Sequence, residues 1–507
     1  MPTYEQERIG DGIMDAVNPY QKNSQARKML TVVGIYVGMV SAITIAMGNS
    51  ILLPVAAQDI GGEEIYSLAA TIGGILSVVA MPLFGYVGAK FPHIKRIGFC
   101  TAFLLGAVAL ICRIIAPNMV AFIIPSALLG IESGALYTFG YSMVRDCFSQ
   151  KQAGFYLGLV ASMFSVGSLI GPVLTGGFIE LFGWRSVPAF QATLFIISAI
   201  IVFFGARITR EEGKLISYVQ GKFDLAGALA IIVLLGGLIV ALSLGGNYIK
   251  FGTPFNILLL AAALIALIVL IFVIRKKGDA AIVPRSAFKS RNTIALAAAN
   301  FLGPFDSMAL SFFLPMFLIY ILGVGAGASS IAVSCYAILG LFLGPIFGRW
   351  VARVGTAKPI VIWFSGAWRV VITIAFIFVL VPGANLYVIY ALMFLGGMYA
   401  NANNITSATA PQIMIEPSIR QQSNALIQLT QNFGGVLGIA TYTAIIGVFG
   451  LEQGMTYGLC IALTGAIVLM ILGFFMKKPD WNEEKEQAAI QARAATLAKE
   501  TDNDSSV

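Results

Sequence analysis

The sequence has little of what catalysis, metal binding or solubility in water requires. It contains one histidine and five scattered cysteines in 507 residues, and only 11% of its residues are charged. Zinc sites, iron–sulfur centres and disulfide frameworks need clusters of such ligands, so we expect no metal and no cofactor. A soluble domain carries about 25% charged residues, and a chain with far fewer cannot cover its surface in water. The sequence therefore predicts an integral membrane protein.

Long apolar runs are abundant instead. Hydrophobic residues make up 58% of the chain, and its mean hydropathy is +0.86. A spanning helix needs about 20 mostly apolar residues, and alternating barrel strands would not give runs this long. The predicted fold is all-α, with fourteen spanning helices at residues 30–55, 64–89, 97–116, 119–143, 153–181, 187–207, 224–246, 254–274, 292–321, 327–350, 359–381, 385–408, 420–447 and 455–476.

The positive charges predict which side of the membrane each loop occupies, because short loops rich in Lys and Arg stay in the cytoplasm. All but four of the 32 Lys and Arg residues fall in the two tails or in the alternate loops on the same side; the exceptions are Arg113, Arg185, Lys250 and Arg369. Both termini are therefore expected in the cytoplasm, in a multi-pass protein of the plasma membrane. Topology accounts for the net charge of +8 without nucleic acid as a partner.

Two similar segments indicate an internal duplication. One follows span two at residues 85–96 and the other follows span ten at 348–358; each has a glycine, a small residue four positions on and then a cation. Two related halves are the architecture of transporters that bind substrate between them. The predicted units are a cytoplasmic tail, a six-helix bundle, a linker with two inserted helices, a second six-helix bundle and a second cytoplasmic tail. Their boundaries are 1–29, 30–208, 209–285, 286–476 and 477–507; the last is expected to hold a solvated helix followed by disorder.

Span five carries the most specific motif of the chain, a run of small residues with one proline, followed by Trp184 and Arg185. Its motif residues are Gly167, Gly171, Pro172 and Gly176. Small residues let helices approach closely and a proline permits a kink, so the run predicts a tight helix contact. The run is similar to the antiporter motif of the major facilitator superfamily, specifically of its fourteen-span drug:proton antiporter branch.

The resemblance covers nearly the whole region from Leu30 to Met476. The segments after spans two and ten resemble the family's gating loop, although Ala89 and Ala352 stand at its acidic position. Ser126 stands where the branch usually has an arginine in span four. The resemblance implies the major facilitator fold, two six-helix bundles plus two inserted helices, and gating by the loops and the span-five motif. The loop residues to which it gives this role are Gly85, Lys90, Gly348 and Arg353.

Three charged residues lie near the middle of predicted spans: Glu132 in span four, Asp306 in span nine and Arg369 in span eleven. A charge at mid-depth costs at least about 2.5–3.5 kcal/mol, so it faces a cavity or a partner. A carboxyl group in a cavity can exchange protons as water access alternates, so we predict that Glu132 and Asp306 couple protons. The alternative for each acid is an interhelical hydrogen bond or ion pair. Arg369 can bind substrate or pair with Asp306.

The sequence gives two further expectations, one for the helix around Asp306 and one for the side chain of Arg113. Asn300, Gly303 and Pro304 precede Asp306, so we expect the helix to break there. Arg113 lies nearer the outer end of span three, where its long side chain can snorkel.

Polar side chains in other spans extend the candidate substrate site. Asn401 and Asn404 are three residues apart, as are Gln428 and Gln431, so each pair shares a helix face. Such amides either contact substrate or join two helices by hydrogen bonds. The predicted substrate-binding residues are Arg369, Asn300, Asn401, Asn404, Gln428, Gln431 and Tyr137.

The predicted function is secondary active transport of amphipathic organic compounds by alternating access, as proton-coupled multidrug efflux. The alternative is proton-coupled or facilitated transport of an organic anion, such as a carboxylated amphipath, which Arg369 favours. The expected partners are a small organic substrate, protons and membrane lipid, and the expected state is a monomer. The sequence has no P-loop for ATP and one loop-bound histidine, so we do not expect an enzyme.

Overall fold

The computed structural model of the chain describes residues 18–62, 67–217, 219, 224–243, 253–324, 326–481 and 483–504. All regular elements in these ranges are helices, which confirms the predicted fold class. The long helices are α1 Gln25–Ile60, α2 Ser67–Lys90, α3 Lys95–Ile114, α4 Met119–Cys147, α5 Gln150–Phe182, α6 Ser186–Phe203, α7 Leu225–Ser243, α8 Pro254–Lys277, α9 Arg291–Tyr320, α10 Ala326–Val354, α11 Lys358–Val379, α12 Leu386–Ala408, α13 Arg420–Phe449, α14 Leu451–Phe475 and α15 Glu483–Asp504. Most of the predicted N-terminal tail and the end of predicted span seven lie outside the described residues.

Within the described part of the chain, eleven helices are long and apolar enough to cross a membrane. The first fourteen helices include three others: α7, whose described apolar stretch is shorter, and α12 and α13. The last two carry several amide side chains, among them Asn401 and Gln428, which lower their hydropathy. The number of fourteen spans therefore stays a prediction.

Both ends of the described chain lie on one face of the helical assembly, which we call the termini face. Asn18 and Glu486 line the same small cavity there. The Tyr20 hydroxyl donates to the carbonyl oxygen of Pro92, between α2 and α3, at 2.8 Å. The amide N–H of Lys477, just after α14, donates to Oδ1 of Asn292 at the start of α9, at 3.0 Å. We call the opposite end of the assembly the far face.

The twelve helices outside the insert pack as two copies of one arrangement. In the first copy α1 packs on α5, α2 on α4, and α3 on α6. In the second, α9 packs on α13, α10 on α12, and α11 on α14. The copies meet at two equivalent crossings, α2 with α13 and α5 with α10. The inserted α7 and α8 pack on each other, and α7 also contacts α2; apolar side chains on the outer surface of the pair, such as Leu264 and Phe272, are exposed as lipid contact requires.

Glycines of the two similar segments lie at these crossings. A Cβ added to Gly85 would stand 2.5 Å from the Cβ of Ala425 on α13. A Cβ added to Gly348 would stand 2.2 Å from the carbonyl oxygen of Gly154 on α5. Only a residue without a side chain allows such an approach, so the repeated glycine sets how closely the bundles pack.

Two expectations about local structure are wrong. Helix α9 runs without a break from Arg291 to Tyr320, although Pro304 and Pro315 lie inside it. A proline removes only its own N–H donor, so Pro304 leaves a single carbonyl group, that of Asn300, without its usual partner, and the helix continues on both sides.

The second wrong expectation concerns the C-terminal tail. Its predicted helix is present as α15, but the helix is docked rather than solvated, because Ile490 and Ala494 form an apolar stripe one turn apart. Ile490 is only 2% exposed and belongs to the apolar core of the first bundle.

Candidate functional site

Asp306 and Arg369 form a buried ion pair between α9 and α11 in the second bundle. Their side chains are 2% and 1% exposed. Nε of Arg369 donates to Oδ2 of Asp306 at 3.2 Å, and Nη2 donates to Oδ1. Of the two alternatives that the sequence allowed for Arg369, this two-point contact is the pairing with Asp306. It neutralises Asp306, one of the two acids predicted to couple protons.

Tyrosines surround the free side of this ion pair. The ring centre of Tyr399 lies 5.5 Å from Cζ of Arg369, and Tyr336 meets Tyr399 edge to face at 5.7 Å between ring centres. Nη1 of Arg369 and the hydroxyl of Tyr442 are buried and have no hydrogen-bond partner among the described residues. The sequence did not reveal these tyrosines as a group, because they come from α10, α12 and α13 and aromatic residues are frequent throughout.

Glu132 is buried in the first bundle, and no described cation forms an ion pair with it. It is 3% exposed, and the Ser133 hydroxyl donates to its Oε1 at 2.8 Å. Its Oε2 has no hydrogen-bond partner among the described residues. Its Cγ lies 3.2 Å from the position that a Cβ on Gly106 would take, so the carboxyl group is held against α3.

Arg113 is the buried cation of the first bundle, and the expectation that it snorkels is wrong. Its Nε and Nη2 donate to the Ser126 hydroxyl oxygen at 3.0 and 2.7 Å. Its guanidinium carbon lies 4.7 Å from the ring centre of Phe122. Among the described residues no carboxylate forms an ion pair with it, and its Nη1 has no partner. The guanidinium group on α3 therefore contacts Ser126, the α4 residue at which the sequence departs from the arginine of the resembled branch.

Three of the amides predicted to bind substrate donate to backbone carbonyl groups. Asn300 donates to the carbonyl oxygens of Leu296 and Thr406 at 2.9 and 3.2 Å. Asn401 donates to the carbonyl oxygen of Gly340 at 3.3 Å, and Gln428 to that of Ser407 at 2.8 Å. Each of the three amides therefore joins its helix to a neighbouring helix. The side-chain oxygens of Asn401 and Gln428 have no partner among the described residues, whereas Asn404 and Gln431 are half-buried.

Two amides join the bundles at a π turn that the sequence analysis missed. Residues Leu136–Gly140 of α4 form this turn, whose wider spacing is often found at functional sites. The side chain of Asn424 donates to the carbonyl oxygen of Tyr137 at 3.0 Å, and that of Gln421 to the carbonyl oxygen of Thr138 at 3.1 Å. Tyr137 therefore contributes its backbone to the contact between bundles.

The span-five motif lies inside the first bundle rather than between the bundles. Cβ atoms added to Gly167 and Gly171 would stand 2.7 Å from Cβ of Ile43 and 3.1 Å from Cα of Thr44, both on α1. Gly176 has open space around it, and α5 continues through Pro172. Of the predicted gating cations, Lys90 lies 5.6 Å above the Phe91 ring and Arg353 is exposed. Gating by these residues stays a prediction.

Two related six-helix bundles with buried charges and an all-helical membrane architecture define a multi-pass transporter built by duplication. The sequence profile of the Major Facilitator Superfamily matches residues 35–274 and 296–500. The chain belongs to this family of membrane transporters, which confirms the resemblance seen in its motifs.

Relatives with known names carry different transport descriptions. Multidrug resistance protein 3 of Bacillus subtilis (strain 168) is 22% identical over 432 residues, which cover 83% of this chain and 80% of that protein. Multidrug transporter protein MdtP of the same organism is 24% identical over 341 residues, 67% of this chain and 61% of its own length. The vacuolar membrane amino acid uptake transporter fnx2 of Schizosaccharomyces pombe is 24% identical over 422 residues, 80% of this chain and 70% of its own length.

Solved structures share the fold at low sequence identity. The human organic anion transporter MFSD10 (TETRAN) matches with a TM-score of 0.60 and 12% identity, covering 88% of this chain and 100% of that one. A bacterial homologue of the iron transporter ferroportin in its outward-facing state matches with a TM-score of 0.59 and 12% identity, covering 88% and 98%.

Proposed function

We propose that the protein exports amphipathic organic compounds across the plasma membrane by alternating access, driven by proton entry. The observation that carries this proposal is the buried carboxyl group of Glu132, which has one unpartnered oxygen and no ion-pair partner among the described residues. The multidrug names of two bacterial relatives and the antiporter-like motif on α5 support the efflux direction.

Between the two acids predicted to couple protons, the geometry favours Glu132. Asp306 is bound at two points by Arg369, and a carboxylate beside a guanidinium keeps its charge. For Glu132, the donor found in the described part of the chain is the neutral Ser133 hydroxyl. A buried acid without a counter-charge binds and releases a proton most readily when water reaches it from alternate sides.

The contacts between the bundles indicate which side of the transporter is closed in this conformation. Side-chain bonds from Gln421 and Asn424 to α4, and the close approach of Gly85 and Gly348 to the opposite bundle, hold the bundles together toward the termini face. With cytoplasmic termini, as the loop charges predict, this arrangement closes the path to the cytoplasm. Export then requires these contacts to separate in the other half of the cycle.

The second candidate is transport of an organic anion. Nη1 of Arg369 has no partner among the described residues and lies among buried tyrosines, so a carboxylate could bind there without displacing Asp306. The name of the structural neighbour MFSD10 as an organic anion transporter agrees with this possibility.

Flux into and out of proteoliposomes under an imposed pH gradient tests both candidates. Efflux predicts that a gradient accelerates movement of a lipophilic cation and that an organic carboxylate competes poorly. The second candidate predicts the reverse preference. Equal flux with and without the gradient would reject proton coupling, and no flux of either probe would reject the substrate classes.

A further inference from the structure

The C-terminal helix α15 joins the two bundles through one carboxylate. Nη2 of Arg145, at the end of α4 in the first bundle, lies 2.9 Å from Oε2 of Glu486. Nη1 and Nη2 of Arg420, at the start of α13 in the second bundle, lie 3.1 and 3.3 Å from Oε1 and Oε2. All three side chains are buried or nearly so. Glu486 therefore binds both bundles at the termini face.

Contacts on both sides of Glu486 fix the helix in this place. The guanidinium carbon of Arg420 lies 4.7 Å from the ring centre of Trp481, just before α15. One turn beyond Glu486, Ile490 packs into the core of the first bundle with Ile216. Nη1 of Arg493 donates to the carbonyl oxygen of Ser217, after α6. The first turn of α15 thus contacts the second bundle, and the following turns contact the first bundle.

The charges around Glu486 favour contact between the two bundles. Arg145 and Arg420 are like charges from opposite bundles, and a single carboxylate between them replaces repulsion by attraction. Burial by itself raises the pKa of Glu486, but the guanidinium groups of Arg420 and Arg145 outweigh it and hold this pKa below its ordinary value. The carboxyl group therefore stays ionised near neutral pH. A second ion pair, Lys95 with Asp146 at 2.8 Å, lines the same cavity.

We propose that α15 is a latch that holds the bundles together at the termini face, with Glu486 as its clasp, an inference that rests on the proposed alternating access. When the bundles separate, Arg145 and Arg420 move apart, and one carboxylate can follow only one of them. Release of Glu486 from one arginine is then an obligatory step of the cycle, and the tail sets how often this face opens.

Distances between spin labels on the two bundles, measured by double electron–electron resonance, test the latch without any substrate. Spin labels are placed at Lys151→Cys on α5 and Glu416→Cys before α13, both exposed, in a variant lacking the five native cysteines. We expect Glu486→Gln to raise the ratio of long to short distances by at least about tenfold, because hydrogen bonds to a charged group are lost. The matched control is Asp480→Asn, which removes an exposed carboxylate six residues before Glu486 and should leave the distances unchanged.

A folded Glu486→Gln variant with the distance distribution of the unchanged protein would overturn the latch. If that variant does not fold, Glu486→Asp keeps the charge but is one methylene shorter; an increase in long distances supports the clasp, and an unchanged distribution contradicts it. Failure of the proposed function gives a different result. The latch variants would still open the termini face while no organic probe is transported.

Discussion

In the second bundle Asp306 and Arg369 neutralise each other, whereas in the first bundle Glu132 and Arg113 do not pair and have hydroxyl groups as partners. The two arginines lie on equivalent helices, α3 and α11, but the two acids do not, because Glu132 lies on α4 and Asp306 lies on α9, the counterpart of α1. Duplication therefore reproduced the scaffold but not the charges. A closed ion pair stabilises a bundle in one arrangement, while an isolated acid can change its protonation at lower cost. This difference is why we assign a structural role to the second bundle's acid and proton coupling to the first's.

The largest expected effect comes from breaking the ion pair of the second bundle. Asp306→Asn leaves Arg369 buried without its counter-charge, so we expect a loss of about 3–5 kcal/mol in unfolding free energy. The double variant Asp306→Asn with Arg369→Gln removes both charges and should recover much of that loss. Thermal unfolding in detergent measures both variants. A double variant as unstable as the single one would show that the pair does not act as a unit.

An intermediate effect is expected at the crossings that the two bundles share. Gly348→Ala places a methyl group against the backbone of Gly154, and such overpacking costs about 1–3 kcal/mol. Because this contact holds the bundles together, the variant should also lengthen distances between them at the termini face. Gly176→Ala, which meets open space, is the control. Equal behaviour of the two variants would mean that the α5–α10 crossing is not tightly packed.

The smallest expected effect comes from the buried cation of the first bundle. Arg113→Met removes a charge that has no carboxylate partner among the described residues and replaces it with an unbranched apolar side chain, so the unfolding free energy should change by no more than about 1 kcal/mol. The same measurement as for Asp306 applies. A loss of unfolding free energy as large as that of Asp306→Asn would mean that Arg113 stabilises the first bundle as strongly as the ion pair stabilises the second.

The sequence predicted what depends on local pattern. Apolar runs gave the helices, and the repeated glycines at Gly85 and Gly348 marked equivalent positions that now lie at equivalent crossings. The mid-span positions of Glu132, Asp306 and Arg369 singled out the charges that are buried.

Partners were harder to predict, because they come from distant parts of the chain. Arg113 donates to Ser126 on the next helix and does not extend to the membrane surface. This contact depends on how α3 and α4 are rotated about their axes, which the sequence does not show. Glu486 lies in a tail of mixed charge, where nothing in the local sequence distinguishes a clasp from a solvated glutamate. Glu486 becomes the clasp because Arg145 on α4 and Arg420 on α13 come together in the folded structure.

Substrate flux in proteoliposomes with Glu132→Gln, compared with Glu180→Gln at an exposed position of α5, tests the central claim most directly. The account predicts that Glu132→Gln still exchanges substrate down its own gradient but no longer responds to an imposed pH gradient, while Glu180→Gln behaves as the unchanged protein. Gradient-driven flux that persists undiminished in Glu132→Gln would contradict the assignment of proton coupling to the unpaired acid of the first bundle.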